Sequence, residues 1–318
     1  MLDEPTASLD AENKAAAIRL FKEQRNNRSQ LLITHDIEVA SALADRIGVL
    51  RHGRLVETGR TGHIFADPKH AYTRSLVRDH IIGDRPAPKG RAATHTGLVV
   101  SKLSHSFGEK RILKEVDLYV PAGSSVAIMG ASGVGKSTMA RLLTGFEPIQ
   151  SGQCLWRSGE TADETAPRSV LVSQKPHAAM ASHFTVEDVL AEGLILAAEH
   201  HGQWRVGKDS RKNRIRTLLT ETHLPTNDDF LERRVSHLSG GEAQKLVIAR
   251  ALIFSPDVIV ADEPTAALDM IAKRQIVDLL DKVRQRRNAA LVLFTHDRAI
   301  AALLGETIRT LENGQLLS

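Results

Sequence analysis

The chain has 318 residues, with 42 basic side chains against 38 acidic ones and a formal net charge of +4. That is a small surplus rather than a basic stripe, and only weak support for a nucleic-acid partner. A single cysteine, Cys154, excludes an intramolecular disulfide framework and a multi-cysteine metal site and fits a reducing compartment, with the cytoplasm as default.

In chain order, Asp3-Glu4-Pro5-Thr6-Ala7-Ser8-Leu9-Asp10 forms an acidic turn. A helix is expected over 12–24, an apolar strand over 31–34 ending in Thr34-His35-Asp36, a helix over 37–44, and short strands over 47–50 and 54–56. Residues 80–96 carry Gly83, Pro86, Pro88 and Gly90 without periodicity and read as a linker. An extended segment containing Phe107 follows, then an apolar strand over 125–129 that runs into a glycine-rich loop, and Lys136 opens a helix with Met139, Leu142 and Leu143 facing inward. Residues 184–236 are rich in helix formers and charge, as an inserted helical subdomain would be. The buried strand over 258–261 delivers Asp262 and Glu263 at its carboxyl end, and another over 291–294 leads into Thr295-His296-Asp297. The longest apolar runs, such as 289–294, fall far short of the ~18 residues a spanning helix needs, so any membrane role is expected to be peripheral.

The phrase Asp262-Glu263-Pro264-Thr265-Ala266-Ala267-Leu268-Asp269 repeats the opening one at an offset of 259 residues. An offset of that size is a duplicated fold unit rather than a solenoid repeat. The two copies therefore predict residues 1–79 as part of one α/β unit and 97–318 as a complete second one. Alternating apolar strands and helices imply a mostly parallel sheet, which binds its ligand off the carboxyl ends of the strands.

The chemistry gathers in the second copy. Gly130, Ala131, Ser132, Gly133, Val134, Gly135, Lys136, Ser137 and Thr138 form a phosphate cradle in its required context of strand, loop and helix. Lys136 is placed for the β- and γ-phosphates of a triphosphate and Ser137 for Mg2+. Asp262 is expected to hold the metal and Glu263 to polarise the attacking water; alone they would read as an acidic turn, but the upstream loop changes that. Gln174 is expected to sense metal and γ-phosphate, where a lone strand-end glutamine would be surface. His296 can hold the water-polarising carboxylate or be merely structural, and Phe107 can stack on a base or fill the core. Ser239, Gly240 and Gly241 open a helix and offer a second set of amide donors. A plain N-cap explains the serine but not both glycines, and a second cradle beside one γ-phosphate implies service to a neighbour. Arg211-Lys212-Asn213-Arg214 and the run over 284–287 read as exposed charged helix faces. Cys154 reads as an inert small residue.

In order and spacing, the loop over 130–137, Gln174, the segment 238–242, the strand over 258–263, Ala267-Leu268-Asp269 and His296 resemble the Walker A, Q-loop, signature, Walker B, D-loop and H-loop of ATP-binding cassette (ABC) transporter ATPases. Residues 65–76, from Phe65-Ala66-Asp67-Pro68 to Leu76, are similar to the segment that follows the cassette in oligopeptide, dipeptide and nickel importer ATPases. After Gln174 the chain instead has Lys175-Pro176-His177-Ala178, where that subfamily has an Asp-Pro, an aromatic and a Ser-Leu-Asn-Pro.

The resemblance implies a P-loop NTPase fold with an antiparallel β subdomain and a helical subdomain, ATP and Mg2+ as cofactors, and coupling of hydrolysis to uptake of peptides, nickel or a related small solute. It also implies permease subunits and a second cassette, in a homodimer or with a partner ATPase, as direct partners. An extracytoplasmic solute-binding protein would be an indirect partner, no nucleic acid is expected, and the chain would sit at the cytoplasmic face of the membrane. In that family each ATP lies between the Walker A of one cassette and the signature of the other. Residues 1–79 carry Walker B, D-loop and H-loop equivalents only, so they are expected to be the closing part of a truncated first cassette. Alternatives are a soluble cassette protein acting on ribosomes or DNA, and a remnant that binds ATP without hydrolysing it alone.

Overall fold

The computed structural model describes residues 1–6, 11–24, 29–34, 36–51, 53–80, 96–159, 163–200 and 208–317. Ser8, Leu9, Asp10, His35 and linker residues 81–95 lie outside them. The chain divides into two compact units, one of Met1–Arg85 with Ala267–Gln275, the other of Pro86–Ala266 with Ile276–Ser318.

The first unit runs β1 (Leu2–Asp3), α1 (Ala11–Glu23), β2 (Leu32–Ile33), α2 (Ile37–Leu43), β3 (Arg46–Arg51), β4 (Arg54–Arg60), α3 (Thr61–Ala66) and α4 (Ala71–His80). β1 and β2 pair in parallel, and β3 and β4 form an antiparallel hairpin. The segment ahead of α4 is fastened by Glu57, whose carboxylate accepts from the amides of Lys69 at 2.8 Å and His70 at 2.9 Å.

The second unit continues with β5 (Gly97–Phe107), β6 (Lys110–Pro121), β7 (Ser125–Met129), α5 (Lys136–Leu143), β8 (Ser151–Ser158), β9 (Asp163–Thr165) and β10 (Ser169–Val172). Then come α6 (Val186–His200), α7 (Lys208–Glu221), α8 (Asp228–Leu231), α9 (Gly240–Leu252), β11 (Val258–Asp262), α10 (Met270–Arg287, of which the residues from Ile276 on belong to this unit), β12 (Ala290–Phe294), α11 (Arg298–Leu304), β13 (Thr307–Glu312) and β14 (Gln315–Leu317). One sheet has the order β10-β11-β12-β7-β13-β14, parallel except at the β13–β14 hairpin. A second, antiparallel sheet has the order β6-β5-β8-β9. The expected fold class is therefore observed: an α/β unit with a mostly parallel sheet, an antiparallel β subdomain and, within 184–236, the helices α6–α8 of the helical insertion.

Apolar continuity decides which strands sit centrally. Every residue of β12 is buried, as a parallel strand covered on both faces must be. Val126 and Ile128 of β7, Val258 and Val260 of β11, and Val292 and Phe294 of β12 share one core with Met139, Leu142 and Leu143 of α5.

The run over 284–287 departs from expectation. Arg284 is 2% exposed, with Nη1 2.6 Å from Glu306 Oε1 and Nη2 2.6 Å from Asp281 Oδ1. Charge density in sequence marked the helix correctly but missed that one arginine points inward to carboxylates at its own helix and at the start of β13.

The sequence repeat is also a repeat of geometry. Asp262 pairs with Phe294 and Asp3 with Ile33. The next amide, of Glu263 or Glu4, donates to the carbonyl of Phe294 or Ile33, at 2.9 Å in both. Both glutamates then turn left-handed, with φ of 47° and 43°, a region that non-glycine residues seldom occupy. Asp297 and Asp36 each donate their amide to the preceding threonine hydroxyl at 3.0 Å. Each also caps the following helix through Oδ1, at 3.0 and 3.2 Å.

Candidate functional site

Four neighbouring parallel strands end along one edge of the large sheet. β10 leads to Gln174, β11 to Asp262 and Glu263, β12 to Thr295 and His296, and β7 to Gly130; the pairs Val172–Ala261, Asp262–Phe294 and Phe294–Ile128 keep these ends level. Residues distant in sequence converge because each follows directly on a strand terminus, the usual ligand edge of such a sheet.

The loop from Gly130 to Gly135 is built by backbone that side chains would block. A Cβ on Gly130 would stand 2.7 Å from the carbonyl oxygen of Leu311, and one on Gly135 would stand 2.7 Å from Ile112 Cγ2. Gly133 and Gly135 have φ of 79° and 114°, which favour glycine. Ala131, Ser132 and Gly133 are exposed, Val134 is partly buried, and Lys136, Ser137 and Thr138 form the first turn of α5. Lys136 is buried and donates to the carbonyls of Gly130 at 2.7 Å and Ala131 at 2.9 Å. Its ammonium lies 4.0 Å from Glu263 Oε1.

Glu263 is 8% exposed. Its Oε1 is 2.8 Å from Nδ1 of His296, and its Oε2 is 3.5 Å from the Thr295 hydroxyl. The hydrogen bond to Glu263 is the main cause that raises the His296 pKa above its ordinary value, against burial. Asp262 behaves differently. Burial pushes its carboxyl above the usual range, a hydrogen bond from the Ser137 hydroxyl opposes that, and the neighbouring Glu263 charge adds to the rise. Asp262 Oδ1 is buried without a hydrogen-bond partner among the described residues.

That orphaned oxygen, with the Ser137 hydroxyl bonded to the same carboxyl, suits a hard cation that takes oxygen ligands. Among the described residues no group of three or more His, Cys, Asp or Glu that could hold a metal ion is found.

Gln174 is exposed two residues past β10. Its turn is held by Gln244 of α9, 1% exposed, whose Nε2 donates to the Ser173 carbonyl at 3.2 Å. Sequence reading passed over Gln244; the available signal was a glutamine among the buried positions Ala243, Leu246 and Val247 of that helix. His177 Nε2 lies 3.2 Å from the Leu238 carbonyl, joining the turn after Gln174 to the start of the same helix. Ser239 caps α9 in a capping box with Glu242, donating its amide to Oε2 at 2.8 Å while its hydroxyl accepts from the Glu242 amide at 3.3 Å. Gly240 is exposed and Gly241 partly so. Phe107 is 49% exposed, so it is not a core residue. Cys154 is half-buried, and burial pushes its thiol up to about 11, which keeps it protonated.

Residues 113–266 match the family model for the ABC transporter. The chain carries an ABC transporter ATPase domain. It is 29% identical over 339 residues to the peptidoglycan transport ATP-binding protein YejF of Agrobacterium fabrum, covering 99% of this chain and 60% of that protein. It is 28% identical over 360 residues to the glutathione import ATP-binding protein GsiA of Escherichia coli, covering 99% and 56%. The chain thus spans about 60% or less of the length of these curated relatives. Among solved structures, the ATP-binding cassette MJ0796, dimeric in a post-hydrolysis state with ADP and Pi, aligns with a TM-score of 0.57 at 27% identity, over 69% of this chain and 96% of that one. The cbiO1 cassette of Clostridium perfringens shares the fold, with a TM-score of 0.57 at 23% identity over 70% and 86%.

Proposed function

We propose that residues 97–318 form a complete cassette that binds and hydrolyses ATP, and that the chain is the ATP-binding component of an importer for peptides or a related small solute. The observation that carries the reading is the meeting of Lys136, Glu263 and His296 at one sheet edge, with Glu263 2.8 Å from His296 and 4.0 Å from Lys136. In this reading the amides of the 130–138 loop and Lys136 bind the triphosphate. Ser137, Asp262 and Gln174 would hold Mg2+, which supplies countercharge to the phosphates. Glu263 accepts a proton from the attacking water while His296 orients the carboxylate. Phe107 offers an exposed ring to the base, and Ser239, Gly240 and Gly241 serve the phosphate of a second cassette.

Residues 1–79 are, by the same reasoning, the closing part of another cassette, since Glu4 and Asp36 repeat the backbone geometry of Glu263 and Asp297. The relatives named for peptidoglycan and glutathione transport favour a peptide-like solute over nickel. Permease subunits and a second cassette are the expected direct partners, a solute-binding protein an indirect one, at the cytoplasmic membrane face. No helix among the described residues is long and apolar enough to cross a membrane.

The test is thermal denaturation of the full chain with and without MgATP. Ligand at one hundred times Kd should add ~2.7 kcal/mol of stability; a melting curve indifferent to ATP would remove the binding reading. Turnover that rises with protein concentration would support hydrolysis across paired cassettes.

A further inference from the structure

We infer that Gln150 and His105, the latter against Glu147, are positioning residues that hold Phe107 as a rigid platform for the nucleotide base; this rests on the ATP reading above. Phe107 is the last residue of β5, paired with Lys110 across a tight turn in which Gly108 has φ 57°. A half-exposed phenylalanine at a hairpin tip would ordinarily lose rotamer freedom on stacking, and ordering it in advance removes that cost. Three features of this tip supply such order.

First, Gln150 clamps the residue before Phe107 from both directions. Its Oε1 accepts from the Ser106 amide at 2.8 Å, and its Nε2 donates to the Ser106 carbonyl at 3.0 Å. The β5–β8 ladder ends at Ser104 and Ser151, so this side chain extends the pairing to the tip. Second, His105 lies on the same face as Phe107, two residues away. It presents its ring at 4.8 Å and 79°, an edge-to-face contact. Third, His105 is buried, with Nε2 3.5 Å from Glu147 Oε2, and neither its ring nitrogens nor that oxygen has a hydrogen-bond partner among the described residues. Glu147 lies four residues past the end of α5, in the turn that closes the helix, where its amide and that of Phe146 donate to the Arg141 carbonyl. The turn closing the helix that starts at the phosphate loop therefore carries the support of the ring, which ties base platform and phosphate cradle to a common element.

The experiment compares affinities of the full chain for MgATP and for Mg2+ with inorganic tripolyphosphate, which lacks a base, by calorimetry. Phe107→Ala should weaken ATP about 5-fold or more, the low end for loss of one stacked base, with tripolyphosphate unchanged. Gln150→Ala, at an exposed side chain, should weaken ATP about 3-fold or more by the same stacking argument, again sparing tripolyphosphate, and should add little on top of Phe107→Ala. Gln150→Glu retains the acceptor for the Ser106 amide and should recover part of the loss. His105→Ala should behave like Gln150→Ala; if it does not fold, the Gln150 series decides. Equal weakening of both ligands by Gln150→Ala, no change in either, or effects that sum with Phe107→Ala would overturn the inference while leaving ATP binding intact. A wild-type chain that binds neither ligand would instead overturn the ATP reading, and the positioning role with it.

Discussion

Glu263 Oε1 and His296 Nδ1 are 2.8 Å apart, and that contact is what raises the His296 pKa. The proton is held more tightly in the folded chain than in the unfolded one. The stabilisation is therefore fully present below the ordinary histidine value of about 6.5 and is lost as pH rises through the raised folded value. NMR titration of the imidazole should give a midpoint above that ordinary value, and Glu263→Gln should bring it down. A midpoint that ignores the substitution would show that another group sets the proton affinity.

The same carboxylate is the proposed acceptor for the water proton. Glu263→Gln preserves size and leaves Lys136 and the loop in place, so nucleotide binding should persist while turnover falls by about 10² or more. Steady-state hydrolysis with an independent binding assay separates the two effects. Unchanged turnover would assign Glu263 a purely structural part, holding the left-handed turn at φ 47°.

Asp262 carries the metal prediction. Its buried Oδ1 has no partner and its carboxyl is pushed up by burial, a combination that leaves it poorly satisfied until a cation arrives. Asp262→Asn should reduce the Mg2+ dependence of ATP affinity by at least the ~10–100-fold that even an outer-shell partner contributes, with smaller effect on ATP measured in chelator. Equal losses with and without Mg2+ would mean that Asp262 shapes the loop rather than the metal site.

Much of this arrangement was legible in the sequence, because each proposed site residue sits on a strand terminus or helix start with its own local signal. Short apolar runs announced β7, β11 and β12, and the residues just beyond them stand at the sheet edge as expected. What escaped was pairwise and long-range. Gln244 reaches Ser173 across 71 positions, and Gln150 reaches Ser106 across 44; neither spacing carries a periodic signature. Phe107 could be core or platform until its exposure was known, since an alternating strand pattern does not say whether its final residue passes the sheet edge. Arg284 was misread for a related reason: a charge run reveals a helix, but the carboxylate that draws one member inward, Glu306, lies 22 positions later.

That buried arginine makes a prediction of its own. The guanidinium of Arg284 bonds the Gly123 carbonyl as well as Asp281 and Glu306, so it ties α10 to the turn entering β7 and to the start of β13. Glu306 is itself anchored there, its amide donating to Ser125 Oγ at 3.2 Å. Removing the arginine alone would leave the Glu306 carboxylate buried and unpaired, which typically costs about 3–5 kcal/mol. Arg284→Met should show that loss in urea denaturation, and Arg284→Met combined with Glu306→Gln should regain a good part of it, because the stranded charge is gone. Arg284→Lys keeps the charge but not the two-pronged geometry and should fall between. Since β7 delivers the phosphate loop, the single variant should also weaken ATP binding more than its partly restored double. A single variant within about 1 kcal/mol of wild type, the range of an ordinary surface pair, would mean that water reaches this network and that the arginine is not what holds the strand.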